Sequence, residues 1–342
     1  MYELSVGRWP GRRDAAALQA GPHPTLPVRM LEASSSGEEK AGLPPLAGGL
    51  RGVVPFASRK NVPQLVVRTD NLYTHPEGTT MHIALTIAGS DSSGGAGIQA
   101  DLKTFMALRV YGMSVITAVT AQNTLGVQAV HELPPEFVAQ QLDSVMDDIG
   151  CDACKTGMLA TEEIIEAVAA GVKRHGIERL VVDPVMVSQS GYPLIRHDAQ
   201  AALVETLAPL ALVITPNISE AEVLAQMPID EPEDIQRAAH IIADLGPEYV
   251  VIKGGHRAGA AIDIIFDGED FIELEAARIE TPNTHGTGCT FSAAITAELA
   301  RGESVLDAIG LAKQHVTAAI AASLDIGAGR GPTNHLAIGE SL

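Results

Sequence analysis

The sequence predicts an α/β fold in which a mostly parallel sheet is covered by helices on both faces. Three observations lead there. From Met81 onward, short apolar runs alternate with longer amphipathic ones, at the spacing of repeated strand–helix units. The apolar supply is Ala, Val, Ile and Leu, with aromatics at only 4%, as suits strands packed under helices. Small polar clusters recur where the apolar runs stop, which in such a sheet is where ligands bind.

In chain order, the first strand is expected at His82–Ala88, leading through the glycine-rich turn Gly89–Gly97 into a helix over Gly97–Leu108. A second strand, Ser114–Ala121, ends at Gln122-Asn123-Thr124 and is followed by the helix Pro135–Asp147. The strand Ala153–Thr156 and the helix Glu162–His175 repeat the unit, as do Arg179–Asp183 and Asp198–Leu207. The strand Ala211–Thr215 precedes two helices, Ser219–Ala225 and Pro232–Leu245, and Tyr249–Lys253 is the next strand. Ala261–Phe266 and Phe271–Glu275 form a hairpin, with Asp267-Gly268 as the turn signal. Helices Thr287–Ala300 and Val305–Leu324 close the body, which reads as one domain over 81–342.

Residues 1–80 lack sustained periodicity and are broken by Pro-Gly, Ser34-Ser35-Ser36-Gly37 and Pro44-Pro45, so a disordered extension is expected. No apolar segment follows the early arginines as a secretory signal requires, and acidic residues interrupt a transit-peptide pattern. Met81 is an alternative initiator, a point that intact mass of the natively expressed protein decides. The net charge of −19 is unevenly placed, with +2 in residues 1–80 and −21 in the body. So acidic a body argues against nucleic acid and anionic membranes as partners. Three cysteines make no disulfide framework and no apolar run reaches the length of a membrane span, so a cytoplasmic location is expected. Cys151 and Cys154 form an isolated Cys-x-x-Cys within a strand-like run and read as inert small residues.

The chemistry concentrates in Asn283-Thr284-His285-Gly286-Thr287-Gly288-Cys289-Thr290, which runs directly into an alanine-rich helix. Two glycines at a helix mouth let backbone N–H groups converge on an anion at the positive end of the dipole. Cys289 falls in the first turn, where the dipole is expected to lower its pKa and give it thiolate character. Gly286, Thr287, Gly288 and Cys289 therefore read as a phosphoryl-transfer cradle. His285 is a secondary candidate, either a substrate contact or a loop residue.

The turn Gly89–Gly97 has Gly95 where a P-loop needs lysine, and it misses the dinucleotide spacing. Asp101, one turn into the next helix, and Gln122, at the neighbouring strand end, are expected to face one cavity. A carboxylate and an amide so placed read the ring nitrogens and amino group of a heterocycle. Asn217 and Glu220 read first as a capping box, and functionally as holders of magnesium waters. Lys253, closing a strand before two glycines and His256, supplies the point charge that phosphoryl transfer needs. Asp183, before Pro184, is either strand punctuation or a metal and phosphate ligand.

With these residues placed, the body resembles the hydroxymethylpyrimidine/phosphomethylpyrimidine kinases of thiamine biosynthesis, in the ribokinase-like superfamily. The resemblance spans about Met81 to His335. It is carried by Thr86–Asp91, Gly94–Thr104, Ala121–Thr124, Lys155–Leu159, Thr215–Asn217, Lys253–His256, Asn283–Thr290 and the tail Gly327–Pro332 with His335. It implies a ribokinase-like three-layer sandwich using ATP and Mg²⁺ to phosphorylate 4-amino-5-hydroxymethyl-2-methylpyrimidine and then its monophosphate. It also implies pyrimidine contacts at Asp101 and Gln122, with Ala96 and Met158 lining the pocket. Cys289 takes the place where many superfamily members carry an aspartate base. Nucleotide contacts are expected from Asp183, Asn217 and Thr287, magnesium at Asp183 and Glu220, and a homodimer. The competing readings are a pyridoxine or pyridoxal kinase of the same fold and a catalytically silent nucleotide-binding regulatory module. A dinucleotide oxidoreductase is weaker, for want of a fingerprint.

Overall fold

The structure, a computed structural model, describes residues 81–254 and 261–338. The extension 1–80 lies outside the described residues, as do Gly255 and His256 of the turn after Lys253.

The described chain runs β1 (Ile83–Asp91), α1 (Gly97–Ala107), β2 (Tyr111–Asn123), β3 (Gly126–Glu132), α2 (Pro135–Asp148), β4 (Ala153–Thr156), α3 (Glu162–His175), β5 (Leu180–Val182) and α4 (His197–Ala202). It continues as β6 (Val213–Ile214), α5 (Ile218–Ala225), α6 (Pro232–Ala243), β7 (Tyr249–Ile252), β8 (Ala261–Phe266), β9 (Phe271–Ala276), α7 (Thr287–Ala300) and α8 (Val305–Ala321). One sheet holds all of these strands in the order β3-β2-β1-β4-β5-β6-β7-β8-β9. The inner run from β2 to β7 is parallel, while β3 and β8 pair antiparallel with their neighbours.

The alternation of side chains along each strand builds two cores. Leu180, Val182, Val250 and Ile252 pack with α2 to α6 on one face. Val181, Val213 and Val251 pack with α1, α7 and α8 on the other. Helix α7 is buried all round, from Thr290 to Ala300, as befits a helix wedged between a sheet and α8. Of its hydroxyls, Thr296 donates to the Ser292 carbonyl at 2.8 Å, and Ser292 lies 3.2 Å from both the Cys289 carbonyl and the Asp183 carboxylate, which share its one proton.

Local chemistry sets most boundaries. In α3, Thr161 accepts the Ile164 N–H, Gly176 leaves in the left-handed region at φ +61, and Lys173, Arg174 and His175 complement the dipole. Asn217 and Glu220 form the expected reciprocal box at α5.

Three details differ from expectation. Gln122 does not close its strand; β2 runs to Asn123, and Thr124-Leu125 turns the chain back into the unforeseen edge strand β3. That strand is half exposed and polar, so its apolar alternation is weak. The helix expected to Leu207 changes to a π turn at Leu203–Leu207, then a 3₁₀ turn at Ala208–Leu210. Pro209, which has no N–H to give, sits in that last turn.

The functional consequence lies in the strand order. β1 is followed by β2 on one side and, after β3, by β4 on the other. The carboxyl ends of β1 and β4 therefore open into a topological switch point, where a parallel sheet binds ligands.

Candidate active site

Two glycine-rich loops meet above that switch point. The first is organised by Asp91, the last residue of β1. Its carboxylate accepts the Ser93 and Ala96 N–H groups at 2.8 and 2.9 Å, the Gly95 N–H at 3.2 Å and the Ser93 hydroxyl at 2.8 Å. The same carboxylate lies 2.8 Å from Nε2 of His285, in the second loop. Burial opposes charge on Asp91, but the hydrogen bonds from His285 and Ser93 outweigh it and hold the carboxyl below its usual range. The loops touch through glycine. Gly286 caps α7 at φ +82, and a Cβ there would stand 1.8 Å from the Gly95 carbonyl oxygen. The tail straps the second loop from behind. His285 N–H donates to the Gly331 carbonyl at 3.1 Å, and Asn283 Oδ1 accepts the Gly331 N–H at 2.9 Å. His335, its pKa pushed down to about 4 by burial and Lys103, lies 3.1 Å from the Thr290 hydroxyl.

At the mouth of α7, Gly288 and Cys289 carry N–H groups of the first turn, which a helix leaves without internal partners. A Cβ on Gly288 would lie 3.5 Å from Lys253 Nζ, so this amide and that ammonium border the same space. Thr287 corrects one expectation. Its N–H and hydroxyl both turn back to the Thr284 carbonyl, at 3.3 and 2.7 Å, so it braces the turn rather than presenting a donor to the crevice.

Cys289 corrects another. Its thiol is pushed up to about 12 rather than down: burial dominates, and Asp101 and Asp183 oppose a negative sulfur. Lys155 and the Gly97 N–H favour the thiolate but do not overcome these. A helix dipole is worth about 1 kcal/mol, and desolvation of a thiolate exceeds it.

Asp101 is fully buried and engaged within the protein. One carboxylate oxygen pairs with Lys155 Nζ at 2.9 Å and the other accepts the Thr86 hydroxyl at 2.7 Å. Lys155 is equally buried. Burial alone would discharge it, but Asp101, with Cys289 and Asp183 behind it, raises its pKa above the ordinary lysine range. The carboxylate is thus engaged in a buried ion pair.

Gln122 is half-buried, with Oε1 3.1 Å from the Thr120 hydroxyl and Nε2 3.4 Å from His285 Nε2. Met158 lies across β1, with its sulfur 3.0 Å from where a Gly89 Cβ would be. It joins Ala118 and Ala160 in a small apolar cluster. Ala96 is the N-cap of α1 and donates to Asp91. Gln122, Met158 and Ala96 therefore surround the switch point with an amide and apolar walls.

Across the crevice, Asp183 at the end of β5 accepts from Lys253 Nζ at 3.0 Å, Thr215 Oγ1 at 3.3 Å and Ser292 Oγ at 3.2 Å. Lys253 stays charged above its usual range, because Asp183 and Glu220 outweigh its burial. Among the described residues no three His, Cys, Asp or Glu side chains converge on one point as a metal cage. Magnesium needs none, since it keeps several waters and binds through one or two carboxylates and substrate phosphates. Asp183 and Glu220 fit that role through water, because their carboxylates already accept protein donors.

Glu220 is pushed up to about 7 by burial, with Asp183 adding and Lys253 opposing. Its native state therefore holds the proton more tightly than the unfolded chain does. The resulting stability is complete below about pH 4.5 and is lost as pH rises to about 7, by roughly 3 kcal/mol in all. Glu220→Gln preserves an acceptor for the cap but never ionises. In urea unfolding without nucleotide or metal, the stability of wild type relative to this variant is expected to fall by that amount over the window. A constant difference would show that Glu220 does not titrate there.

Sequence reasoning missed Asp91 and the buried role of Lys155. An acid flanked by serines just before glycines was the available signal for Asp91, as an Asx turn. Lys155 gave none beyond a charge inside an apolar strand.

The sequence model of the phosphomethylpyrimidine kinase family matches residues 91–334. A hydroxymethylpyrimidine/phosphomethylpyrimidine kinase of Rhizobium meliloti is 55% identical over 258 residues, covering 74% of this chain and 96% of that one. The thiamine biosynthesis bifunctional protein ThiED of Geobacter sulfurreducens is 50% identical over 259 residues, 75% of this chain and 53% of its own. Among solved structures, an ADP complex of Bacillus subtilis pyridoxal kinase is 48% identical, with a TM-score of 0.72 over 76% of this chain and 99% of that one.

Proposed function

The chain belongs to the phosphomethylpyrimidine kinase family, and from that premise we infer how its own residues carry out the transfer. The reaction is ATP-dependent phosphorylation of 4-amino-5-hydroxymethyl-2-methylpyrimidine and then of its monophosphate, a step of thiamine biosynthesis. The hydroxymethyl oxygen attacks the γ-phosphorus of ATP, the bond to the β-bridging oxygen breaks, and ADP leaves.

The observation that carries the reading is the meeting of three features at one switch point. These are the Gly288 and Cys289 amides at the mouth of α7, the Lys253–Asp183 pair beside them and the Gln122 wall opposite. Phosphoryl transfer through a loose transition state depends on positioning and electrostatics more than on proton removal. The amides and Lys253 supply that stabilisation. Asp183 and Glu220 would hold Mg²⁺ through water, and the bound ion would neutralise phosphate charge. Asn217, at the cap of α5, borders the nucleotide side.

With its thiol pushed up to about 12, Cys289 rests as a neutral thiol and takes no proton. Its S–H is a weak donor toward the transferring phosphoryl oxygens, and the hydroxymethyl proton passes to a phosphate oxygen and then to solvent as the new O–P bond forms. Cys289→Ala is expected to lower kcat by about 10- to 100-fold, at or below the cost of losing one preorganised donor. The KM for the pyrimidine should change less than about threefold. Equal turnover in variant and wild type would remove the cysteine from the mechanism.

Turnover of the pyrimidine alcohol and of its monophosphate, each with ATP and magnesium, tests the function directly. The pyridoxal kinase neighbour sustains a second reading, in which a pyridine alcohol enters the same pocket. A kcat/KM higher for pyridoxine than for the pyrimidine would make that reading the primary one. The homodimer rests on the family resemblance, and light scattering tests it.

A further inference from the structure

His285 stands between the two loops with a single ring nitrogen shared by two neighbours. Nε2 lies 2.8 Å from Asp91 Oδ2 and 3.4 Å from the Gln122 amide nitrogen. It cannot serve both as they stand. The Asp91 carboxylate, an acceptor only, requires a proton on Nε2. A protonated Nε2 offers no lone pair to an amide N–H; what fits against it is the amide oxygen, as the longer acceptor of the proton it shares with Asp91. Thr120 makes the same demand from the other side. Its hydroxyl lies 3.1 Å from the Ser90 carbonyl, which claims the proton, and 3.1 Å from the other terminal atom of Gln122. What remains on the hydroxyl is lone pairs, which suit an amide N–H. Both neighbours therefore call for the amide turned by 180°, a distinction that depends on hydrogen bonding and not on shape.

We propose that the Asp91–His285 pair fixes the Gln122 amide with its oxygen toward His285 and its nitrogen toward Thr120, and thereby sets substrate preference. The pair selects alcohols that carry an amino donor beside a ring-nitrogen acceptor. One lone pair on the amide oxygen and one amide N–H remain for the ligand, as an acceptor beside a donor. The hydroxymethyl group must point at the mouth of α7, so the order of donor and acceptor along the ring is set, and one turn of the amide matches it. A ring bearing a hydroxyl in place of the amino group can donate or accept there and gains less from a fixed amide. His285 and Asp91 are positioning residues: they act through Gln122. The inference deepens the function proposed above and rests on it.

The test is calorimetric binding to the full chain without nucleotide, which keeps it separate from turnover. The ligands are 4-amino-5-hydroxymethyl-2-methylpyrimidine and pyridoxine. His285→Phe keeps a ring but removes the donor, and His285→Gln restores an N–H near the position of Nε2. His285→Phe is expected to weaken the aminopyrimidine about tenfold or more while changing pyridoxine less than about threefold. His285→Gln should recover most of the loss. Equal weakening of both ligands, no change in either, or failure of the Gln variant to recover would overturn the proposal. Absence of turnover on either alcohol would count against the kinase reading instead.

Discussion

Gly286→Ala is expected to lower kcat/KM by about 100-fold or more while the protein remains folded. The residue sits at φ +82, where a Cβ costs about 1 kcal/mol in backbone strain alone. The larger effect is steric. The new Cβ would lie 1.8 Å from the Gly95 carbonyl oxygen and 3.3 Å from Ala96 Cα, both backbone atoms that no rotamer change can move aside. The two loops must separate by more than about 1 Å, and a misplacement of that size costs roughly 100-fold in a reaction governed by positioning. Gly302→Ala is the control. It too has a left-handed glycine, at φ +94, but nothing lies within 4 Å of its added Cβ. It should lose about 1 kcal/mol of stability and no activity. If Gly286→Ala matched this control in a steady-state assay, the close approach of the loops would not matter for transfer.

The contrast between those glycines explains what the sequence could and could not reveal. The phosphate turn was legible because its chemistry is local: glycines, small hydroxyls and a helix follow one another in the chain. The Asn217–Glu220 cap was legible for the same reason. The strand–helix alternation was visible because parallel strands are apolar runs whatever they pack against. What escaped were pairings between distant segments. Asp101 and Lys155 are separated by 54 positions, and nothing in either neighbourhood says that they meet. Asp101 on an amphipathic helix could face the crevice or the sheet, and a rotation of roughly one residue decides between them. Cys289 shows the same limit in electrostatic form. Its place in the first helical turn is a sequence fact, but the protein packed around its half-buried side chain and the two carboxylates behind it are tertiary facts, and they set the sign of the shift.

The Lys155–Asp101 pair provides the most severe expected loss of stability. Both side chains are fully buried, and each is the other's charge partner. Removing either leaves an unpaired charge in the interior, which costs about 3–5 kcal/mol. Lys155→Met and Asp101→Asn should each lower the urea midpoint by that measure. The double variant Lys155→Met/Asp101→Asn should recover part of the loss, because it leaves no orphaned charge. Additive losses would mean that the two residues do not form a coupled pair. The same variants separate the structural role of Asp101 from the substrate contact first expected of it. A pyrimidine ligand would make Asp101→Asn weaken substrate binding in a protein of normal stability. A buried counterion instead makes the variant fragile, and below its melting range the remaining folded protein should bind the pyrimidine with nearly unchanged affinity. Melting curves and calorimetry on one preparation distinguish the two outcomes.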